Sequence, residues 1–491
     1  MQVKVNRKDK KFYPDASRVI ARFLYTDEER ALHILHSVLN MSDHEASVAL
    51  KQVLRDYSMR HRNITKIFEK HFNKIAHLFT QLKIEPGLLD FSQKILIGSY
   101  FTMEYSIEST AFFNPSIVEH PDQSETGAGE KRVIMSFRAT GEGHISSIVF
   151  RTGVLDKNNN LTIEPVGRML EEAEHIQRHV YDKESFRSKL DEMHDVNAII
   201  PHGLILDKLN DKFTYGELWQ CIEEARKTLH LASDKEILFN RIIWLASSHY
   251  ELDFSMDTNI SERVIFPISA SEKNGIEDAR FVKFEDDDHQ VVYYATYTAY
   301  NGTTILPKML DTMDFYHFRV LPVHGEIVQN KGMAMFPRKI NGKYAMLCRL
   351  DGYRNYIAFS DNITIWREAI LLQQPQFPWE FIQIGNCGSP IETGEGWLVI
   401  THGVGPMREY VLGASLFDLH NPEKEIGRLK SPLIMPNTEE REGYVPNVVY
   451  SCGSMIHNND LIIPYAMSDY ASTYATVNLR ELLNELKNSG S

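Results

Sequence analysis

The first hundred residues show the apolar spacing of amphipathic helices. Over residues 27–40, apolar side chains recur every three or four positions, which places them on one face of a helix. Ser42 and Glu45 then form the Ser-x-x-Glu pattern of a helix-capping box. Similar spacing recurs over residues 64–79. The pattern therefore predicts an N-terminal helical domain over residues 1–105.

Beyond residue 109 the chain changes to short runs of alternating, β-branched and aromatic residues. Turn dipeptides such as Asn301-Gly302 and Asn341-Gly342 separate the runs, as is typical of strands joined by hairpins. The runs continue almost to the C terminus, which favours a propeller of several four-stranded blades over a single sandwich. Examples are residues 132–138, 145–151, 291–298, 343–349, 396–401 and 410–417.

One stretch inside this β region has helical spacing again. It runs from about residue 166 to 254 and includes YGELWQCIEEARKTLHLA, so it predicts a helical insertion. Because the insertion lies between early strands, one hypothesis is that it covers the mouth of a propeller channel. Residues 479–491 are expected to form a C-terminal helix and tail.

Composition excludes some partners without naming a function. The chain has 491 residues and a net charge of -13, which argues against nucleic acid, since phosphate backbones need a basic surface. Its four cysteines are isolated, with no zinc or redox motif, and favour a reducing compartment. There is no apolar signal segment and no apolar run near the ~20 residues of a membrane span. We therefore expect a cytoplasmic protein without a membrane partner.

Four segments are too polar for the strand ends that they occupy. Together they supply carboxylates, cations and a histidine. Cleavage of a glycosidic bond needs an acid to protonate the leaving oxygen, and either a base that activates water or a cationic seat for phosphate. The segments are residues 114–117 with Arg138, residues 275–280, residues 330–339 and residues 394–404.

Seven motifs in this region resemble those of glycoside hydrolase family 130, which contains β-mannoside phosphorylases and β-mannosidases. They are N-P-S-I, S-F-R-A, G-I-E-D-A-R, Y-x-T-Y-T-A-Y, N-K-x-x-x-x-F-P-x-K-I-N-G-K-Y, G-W-L-x-x-x-H-G-V and Y-x-L-G-A-x-L-F-D-x-x-N-P. The resemblance covers about residues 109–475 apart from the insertion. It implies a mainly β fold, with a five-bladed β-propeller over residues 106–478 and the active site at its central channel.

The resemblance also implies roles for individual residues. Asp278 matches the general acid, which in the phosphorylases is thought to act through a sugar hydroxyl. Arg280 is expected to hold Asp278 and Glu277 in place, or to form a purely structural ion pair. The substrate-binding candidates are Asn114, Arg138, Glu277, Arg280, Tyr300 and Asp469, and those on the phosphate or nucleophile side are Arg151, Lys331 and His402.

The sequence leaves water or phosphate open as the nucleophile. Arg138, Lys331 and His402 suit phosphate, because Arg and Lys bind it far better than neutral side chains do. However, residues 301–304 lack the Arg that the phosphorylases usually have, and Glu392 stands where they have a Lys. The lost cation and the gained carboxylate favour an inverting β-mannosidase for short, for example β-1,2-linked, manno-oligosaccharides. Asp278 would be its acid and Glu392, or another carboxylate of the cleft, its base.

Three alternatives remain. The first is an inverting phosphorylase with inorganic phosphate as co-substrate, and the second is a transferase that runs that reaction backwards from mannose 1-phosphate. The third, a non-catalytic sugar-binding propeller, would require loss of the acid, but Glu277-Asp278 is intact. We expect no metal and no cofactor, and a small β-mannoside as the partner. The helical regions are candidate contacts for a homo-oligomer.

Overall fold

The computed structural model describes residues 3–176, 180–192, 203–228, 233–302 and 305–489. Its N-terminal segment contains helices that pack around a core including Leu35, Phe68 and Ile97. The capping box is confirmed, since the Glu45 N–H donates to Ser42 Oγ and the Ser42 N–H donates to the Glu45 carboxylate. The helices are α1 (Glu28–Leu39), α2 (Asp43–Tyr57), α3 (Ile64–Lys74), α4 (Ala76–Leu82) and α5 (Phe91–Tyr100).

The N-terminal segment, predicted as a helical domain over residues 1–105, also contains strands. Strand β1 (Val5–Arg7) pairs with residues 475–477 near the C terminus. Strand β2 (Val19–Phe23) pairs with β3 (Thr102–Ser106). Strands of three to five residues are too short for periodicity to reveal them, and their partners are distant in the sequence.

In the described part of the chain, we divide most of the remaining strands into five consecutive antiparallel groups, called units 1 to 5; units 1 and 2 belong to one 12-stranded sheet. Unit 1 contains β4 (Ala111–Glu119), β5 (Lys131–Thr140), β6 (Ser146–Leu155) and β7 (Leu161–Ile163). The chain then enters the insertion and the segment after it. These contain β8 (Glu171–Glu172), β9 (Glu174–Ile176), β10 (Val180–Asp182), α6 (Lys183–Glu192), α7 (Gly203–Leu206), β11 (Lys212–Thr214), α8 (Tyr215–Thr228), α9 (Ser233–Ser247), β12 (Tyr250–Asp253) and β13 (Arg263–Ile265).

Units 2 to 5 follow in chain order. Unit 2 contains β14 (Gly275–Glu285), β15 (Val291–Tyr300), β16 (Ile305–Thr312) and β17 (His317–Pro322). Unit 3 contains β18 (Ala334–Met335), β19 (Tyr344–Cys348), β20 (Asn355–Ser360) and β21 (Ala369–Gln373). Unit 4 contains β22 (Gln383–Asn386), β23 (Ile391–Thr393), β24 (Gly396–Val404), β25 (Tyr410–Phe417) and β26 (Glu425–Arg428). Unit 5 contains β27 (Val449–Tyr450), β28 (Met455–His457), β29 (Asp460–Met467) and β30 (Ala471–Asn478), with β1 as its outer strand.

Each unit is joined to the next, and the fifth is joined to the first. The bridging pairs are Ser146 with Gly275, Thr296 with Met333, Gln373 with Ser415, Tyr410 with Asn447, and Phe112 with Tyr470. Helix α10 (Leu479–Ser489) buries its leucines in the core formed by units 4 and 5. Within the described residues, no helix combines the length and apolar character needed to cross a bilayer.

A buried ion pair fixes the segment that leads into β14. Glu272 and Lys308 are both fully buried, and their charged atoms are 2.9 Å apart. The Tyr250 and Tyr297 hydroxyls and the Ser269 N–H also donate to the Glu272 carboxylate. Burial would raise the pKa of Glu272, but Lys308 and these hydrogen bonds lower it to about 2. The start of β14 is thus held rigidly in place.

Candidate active site

A cavity of about 320 Å³ lies where the five units meet. Its lining includes Asn114 and Arg138 of unit 1, Asp278 of unit 2, Lys331 and Arg349 of unit 3, Gln383, His402 and Arg408 of unit 4, and Tyr450 and Asp469 of unit 5. A second cavity of about 650 Å³ is also lined by all five units. The first cavity is lined by residues near the start of β4 and β14, and the second cavity is lined by residues near the end of the same strands. The two cavities therefore lie at opposite ends of the inner strands.

Three polar side chains reach the first cavity from strained backbone. Asn114, Asp278 and Asp469 have φ values of 50°, 56° and 51°, in the left-handed region. The registers of β4 and β14 shift at Asn114 and Asp278, and such bulges re-aim side chains. A non-glycine residue in this region costs of order 1–3 kcal/mol, and such strain concentrates at functional sites. Three strained polar residues at one cavity mark it as the functional centre.

Cations and an amide surround Asp278. Asn114 Nδ2 donates to Asp278 Oδ1 at 2.6 Å, and Arg138 Nη1 lies 3.6 Å from the same oxygen. Burial would raise the pKa of Asp278, but Arg138, Arg280, Lys331 and the Asn114 hydrogen bond outweigh it and lower the pKa below its usual value. With only these neighbours, Asp278 is ionised at neutral pH.

Glu277 bridges two of these cations. Its Oε1 accepts from Arg138 Nη2 at 2.8 Å and its Oε2 accepts from Lys331 Nζ at 2.5 Å. Arg280, which is expected to hold Asp278 and Glu277 in place, contacts Asp278 through its backbone. Arg280 donates to the Asp278 backbone carbonyl at 3.1 Å and to the Tyr450 hydroxyl at 2.7 Å. Arg280 thus fixes the bulge, while Glu277 orients Arg138 and Lys331.

Arg349 and His402 form a buried pair next to Lys331. Arg349 Nη1 is 3.4 Å from His402 Nε2, and Arg349 Nε donates to the Lys331 carbonyl at 3.4 Å. Burial, together with Arg349 and a second arginine, lowers the pKa of His402 well below its usual value, so the ring is neutral. Its Nδ1 lies 3.2 Å from the Asn386 carbonyl, so Nδ1 carries the proton. His402 Nε2 then accepts from Arg349 and from Gln383 Nε2, which is 2.9 Å away.

Two glycines make room for this pair. A Cβ atom on Gly385 would lie 2.6 Å from His402 Cε1 and 2.7 Å from Arg349 Cδ. Gly332 has a φ of 92°, and a Cβ there would lie 2.9 Å from Arg349 Nε. Larger residues at either position would displace Arg349 from the cavity wall.

Asp469 gives the site a titration near neutral pH. Burial raises its pKa to about 6; Arg138 opposes this shift, whereas Asp278 adds to it. The carboxyl is therefore neutral below pH 6 and ionised above it. Because a carboxylate accepts stronger hydrogen bonds from hydroxyl groups than a neutral acid does, we expect kcat/KM for a β-mannoside to rise with pH through about 6.

The matched measurement is the pH profile of Asp469→Asn, which cannot ionise. The rise near pH 6 should be absent from this variant and present in Asp361→Asn, a change of an exposed carboxylate. If Asp469→Asn keeps the rise, another group titrates and Asp469 does not contact the substrate as a carboxylate.

The structure places Glu392 away from the cavity, which corrects its assignment as the base. Glu392 pairs with Trp397 across β23 and β24. Trp397 lies five residues before His402 in β24, which is a distance of about 17 Å along the strand. It lines the second cavity and forms two 2.8 Å hydrogen bonds with Arg338. Glu392 therefore cannot activate a nucleophile beside Asp278.

Arg151 and Tyr300 also lie outside the cavity lining. Arg151 donates to buried Glu108, which also binds Arg18, so its guanidinium is engaged away from the cavity. The Tyr300 hydroxyl donates to the Gly302 carbonyl in its own loop. Residues 303–304, where the sequence lacks an expected Arg, lie outside the described residues.

The insertion does not reach this cavity in the described residues. Strand β12 pairs with β17 at the edge of unit 2, and β9 pairs with β12. None of the described residues between 166 and 254 lines the cavity. The hypothesis that the insertion covers the channel mouth is therefore not supported, because it extends an outer edge instead.

Sequence reasoning missed Arg349, Gln383 and Arg408. Arg349 is the last residue of the strand predicted over residues 343–349. A charged residue at a strand end is the one sequence feature that could have indicated it as a site residue. Arg408 lies in a hairpin with φ of 56°. Neither residue has a motif that marks it for a site.

The comparisons with known proteins agree with the motifs. The model of glycoside hydrolase family 130, described as beta-1,4-mannooligosaccharide phosphorylase, matches residues 234–488. This range includes Asp278, Lys331, His402 and Asp469, whereas Asn114 and Arg138 precede it. Both carboxylates that line the cavity, and the Arg349–His402 pair, therefore lie within the matched part.

Curated relatives and a solved structure are similar to the chain over different shares of their length. A 1,2-beta-oligomannan phosphorylase of Thermoanaerobacter sp. (strain X514) is 34% identical over 224 residues, 43% of this chain and 71% of the relative. A beta-1,2-mannobiose phosphorylase of Listeria innocua is 28% identical over 237 residues, 45% of this chain and 63% of the relative, which is less than two thirds of its length. The structure of beta-1,2-mannobiose phosphorylase from Listeria innocua with beta-1,2-mannobiose has 21% identity and a TM-score of 0.46, covering 77% of this chain and 92% of that one. Because the family model covers just over half of the chain, the protein is an enzyme of glycoside hydrolase family 130.

Proposed function

We propose that the protein is an inverting β-mannoside phosphorylase, which transfers the terminal mannosyl unit of a short β-linked manno-oligosaccharide to inorganic phosphate. This is the alternative to the hydrolysis that the sequence favoured. The phosphorylase names of the relatives support it. The observation that carries it is the state of Arg349.

Within the described residues, Arg349 is a buried cation without an anionic partner. Its residue is 8% exposed, and among the described residues no carboxylate lies within 4.0 Å of its guanidinium. Burial lowers its pKa, and the charge of Arg280 adds to this. An uncompensated buried charge costs several kcal/mol, so a bound anion would relieve it. Lys331, whose side chain is one-third exposed, and the neighbouring Gln383 add donors beside it.

Hydrolysis by inversion lacks a comparable seat for its base. It needs a second carboxylate about 6.5–9.5 Å from the acid with room for water between them. With Glu392 at the other end of the strands, the carboxylates that line the cavity among the described residues are Asp278 and Asp469. Asp469 interacts most strongly with Arg138, a residue of the sugar side in this proposal. Its proposed role is to hold the mannosyl unit.

The five units correspond to the five blades of a propeller in this proposal. Two cavities, each lined by all five units, would then be the two mouths of the central channel. The pairing of β1 with β30 would close the last blade with the first strand of the chain. A ring of this kind explains why residues from every unit converge on Asp278.

The proposed reaction divides the cavity into two sides. Asn114, Arg138 and Asp469 hold the mannosyl unit, and Lys331, Arg349 and His402 receive phosphate. A phosphate oxygen attacks C1, the bond from C1 to the bridging oxygen breaks, and that oxygen takes the proton of Asp278 through a sugar hydroxyl. The products are α-mannose 1-phosphate and the shortened sugar.

Phosphate binding also prepares the acid for its role. The cations that lower the pKa of Asp278 include Lys331, which borders the phosphate side. A bound phosphate offsets their field and so raises the pKa of Asp278 towards the protonated form that an acid needs. Asp278 is therefore protonated when phosphate is bound.

The test incubates the protein with β-1,2- and β-1,4-mannobiose, with and without inorganic phosphate. We expect mannose 1-phosphate and mannose in equal amounts when phosphate is present, and almost no turnover when sulfate replaces it. Release of two mannose molecules at the same rate without phosphate would show a hydrolase and overturn the proposal.

A further inference from the structure

Half-exposed aromatic rings form a band at one side of the active-site cavity. Tyr13, Tyr444 and Tyr470 are 55%, 59% and 42% exposed. The rings of Tyr13 and Tyr470 have centroids 6.4 Å apart, and the ring of Tyr444 stacks on His144 at 5.6 Å with an interplanar angle of 30°. We call Tyr13, His144, Tyr444 and Tyr470 the aromatic rim.

Chain neighbours of the aromatic rim line the cavity. Tyr470 follows Asp469 in the turn between β29 and β30, and Tyr444 precedes Val445; both Asp469 and Val445 line the cavity. His144 lies in the hairpin after β5, the strand whose late residue Arg138 faces the cavity. The rim therefore lies at the same end of the strands as Asp278.

The two ring pairs are parts of one surface. A Cβ atom on Gly443 would lie 3.1 Å from Tyr470 Cβ, so the backbone beside Tyr444 packs against Tyr470. The Val445 N–H donates to the Ser468 carbonyl, and the Tyr470 N–H donates to the Met467 carbonyl. These bonds fix the backbone from which both tyrosine side chains extend.

Packing does not account for this arrangement. A single exposed aromatic residue is ordinary, but a contiguous exposed patch marks a binding surface. Here, two pairs of contacting rings from four separate chain segments are exposed next to the cavity that contains Asp278. A tyrosine combines an apolar face with a polar hydroxyl, which suits a ligand that is apolar on one face and polar at its edge. A sugar ring has this character, since its C–H groups and its hydroxyls face different directions.

We infer that the aromatic rim binds the outer sugar units on the leaving side of a manno-oligosaccharide whose terminal mannosyl unit lies beside Asp278. The inference rests on the proposed function for the identity of the sugar. Tyr470, next to Asp469, contacts the nearer unit, and Tyr444 with His144 contacts a more distant one. The rim then makes chains of three or more units better substrates than a disaccharide.

The test compares kcat/KM for β-mannobiose and β-mannotetraose at saturating phosphate. Tyr444→Ala should lower the value for the tetraose about three- to tenfold and leave that for the biose within about twofold, since a stacked ring contributes a modest energy. Tyr444→Phe, which keeps the ring, should behave like the parent for both substrates. Tyr57→Ala is the matched control, because Tyr57 is a 41% exposed tyrosine on the remote helix α2.

Sugar binding can be measured without turnover, so this test does not depend on whether water or phosphate is the nucleophile. In Asp278→Asn protein, calorimetry should show tighter binding of the tetraose than of the biose, and Tyr444→Ala should remove most of the difference. The inference would be overturned if Tyr444→Ala and Tyr470→Ala weakened binding of the tetraose and the biose equally. It would also be overturned if they weakened neither. The inference would also be overturned if these variants changed the mass measured by sedimentation but not the chain-length preference. That result would mean that the rim contacts a second copy of the chain. Turnover without phosphate would overturn the proposed function alone, since chain-length preference would still report on the rim.

Discussion

Asp278→Asn is expected to lower mannoside turnover about 10²- to 10⁴-fold, the usual contribution of a general acid. The amide has nearly the shape of the carboxyl but carries no proton that it can give to the leaving oxygen. Asn114, which donates to Asp278 Oδ1 at 2.6 Å, can still contact the amide oxygen. The loss should therefore appear in kcat, measured by initial rates at saturating phosphate and mannoside, with KM little changed.

Asp361→Asn is the control for this variant. Asp361 is an exposed carboxylate, 82% accessible, that lies 3.6 Å from Lys343 and does not line the cavity. Its replacement should leave kcat unchanged. Both variants should melt at temperatures close to that of the parent, because Glu277 still compensates Arg138 and Lys331 in Asp278→Asn. An Asp278→Asn protein with more than a tenth of the parental kcat would remove Asp278 as the acid.

The sequence predicted the part of the site that motifs carry. Asn114 and Asp278 lie in two of the seven motifs, the resemblance implies Asp469 as a third site residue, and the structure brings all three to one cavity. Their left-handed backbone could not be predicted, since it depends on bulges and turns whose register is set by neighbouring strands. Short-range sequence patterns indicate which residues are polar. The pairing of neighbouring strands decides which way each side chain points.

Glu392 and Arg349 show where sequence reasoning stops. Glu392 replaces a usual Lys within a motif, and this suggested a base, but its place in β23 lies about 17 Å along the sheet from His402. Arg349 carries no motif and is brought to His402 by the approach of units 3 and 4 over Gly385. Contacts between units distant in the sequence, unlike strand periodicity, leave no pattern in the chain.

The helical parts of the prediction divide in the same way. Spacing located α1 and α2 to within a few residues, because each has an apolar face and a capping residue. The strands β1 and β2 were missed because their partners lie about 80 or more residues away along the chain. The division of the chain into domains stays a prediction, since β1 belongs to unit 5 although it precedes the helices.

Arg349→Met is expected to lower kcat/KM for phosphate about 10²- to 10³-fold, the cost of removing one strong donor from a developing anion site. Methionine fills a similar volume but presents no donor to the cavity. KM for the mannoside in saturating phosphate should change little, since Asn114, Arg138 and Asp469 remain. Arg349→Lys should recover part of the loss, because an ammonium keeps the charge but lacks the planar fork that binds phosphate with two hydrogen bonds.

Stability and a matched arginine separate this effect from damage to the fold. Arg349 lies close enough to Arg280 for the two charges to repel, and among the described residues it has no carboxylate partner, so its removal leaves no buried anion behind. The melting temperature of Arg349→Met should therefore equal or exceed that of the parent. Arg338→Met removes an arginine from the opposite cavity, where it pairs with Glu392, and should leave phosphate kinetics unchanged. An Arg349→Met enzyme with parental kcat/KM for phosphate would mean that the buried charge serves another ligand, and the phosphate seat would have to lie elsewhere in the cavity.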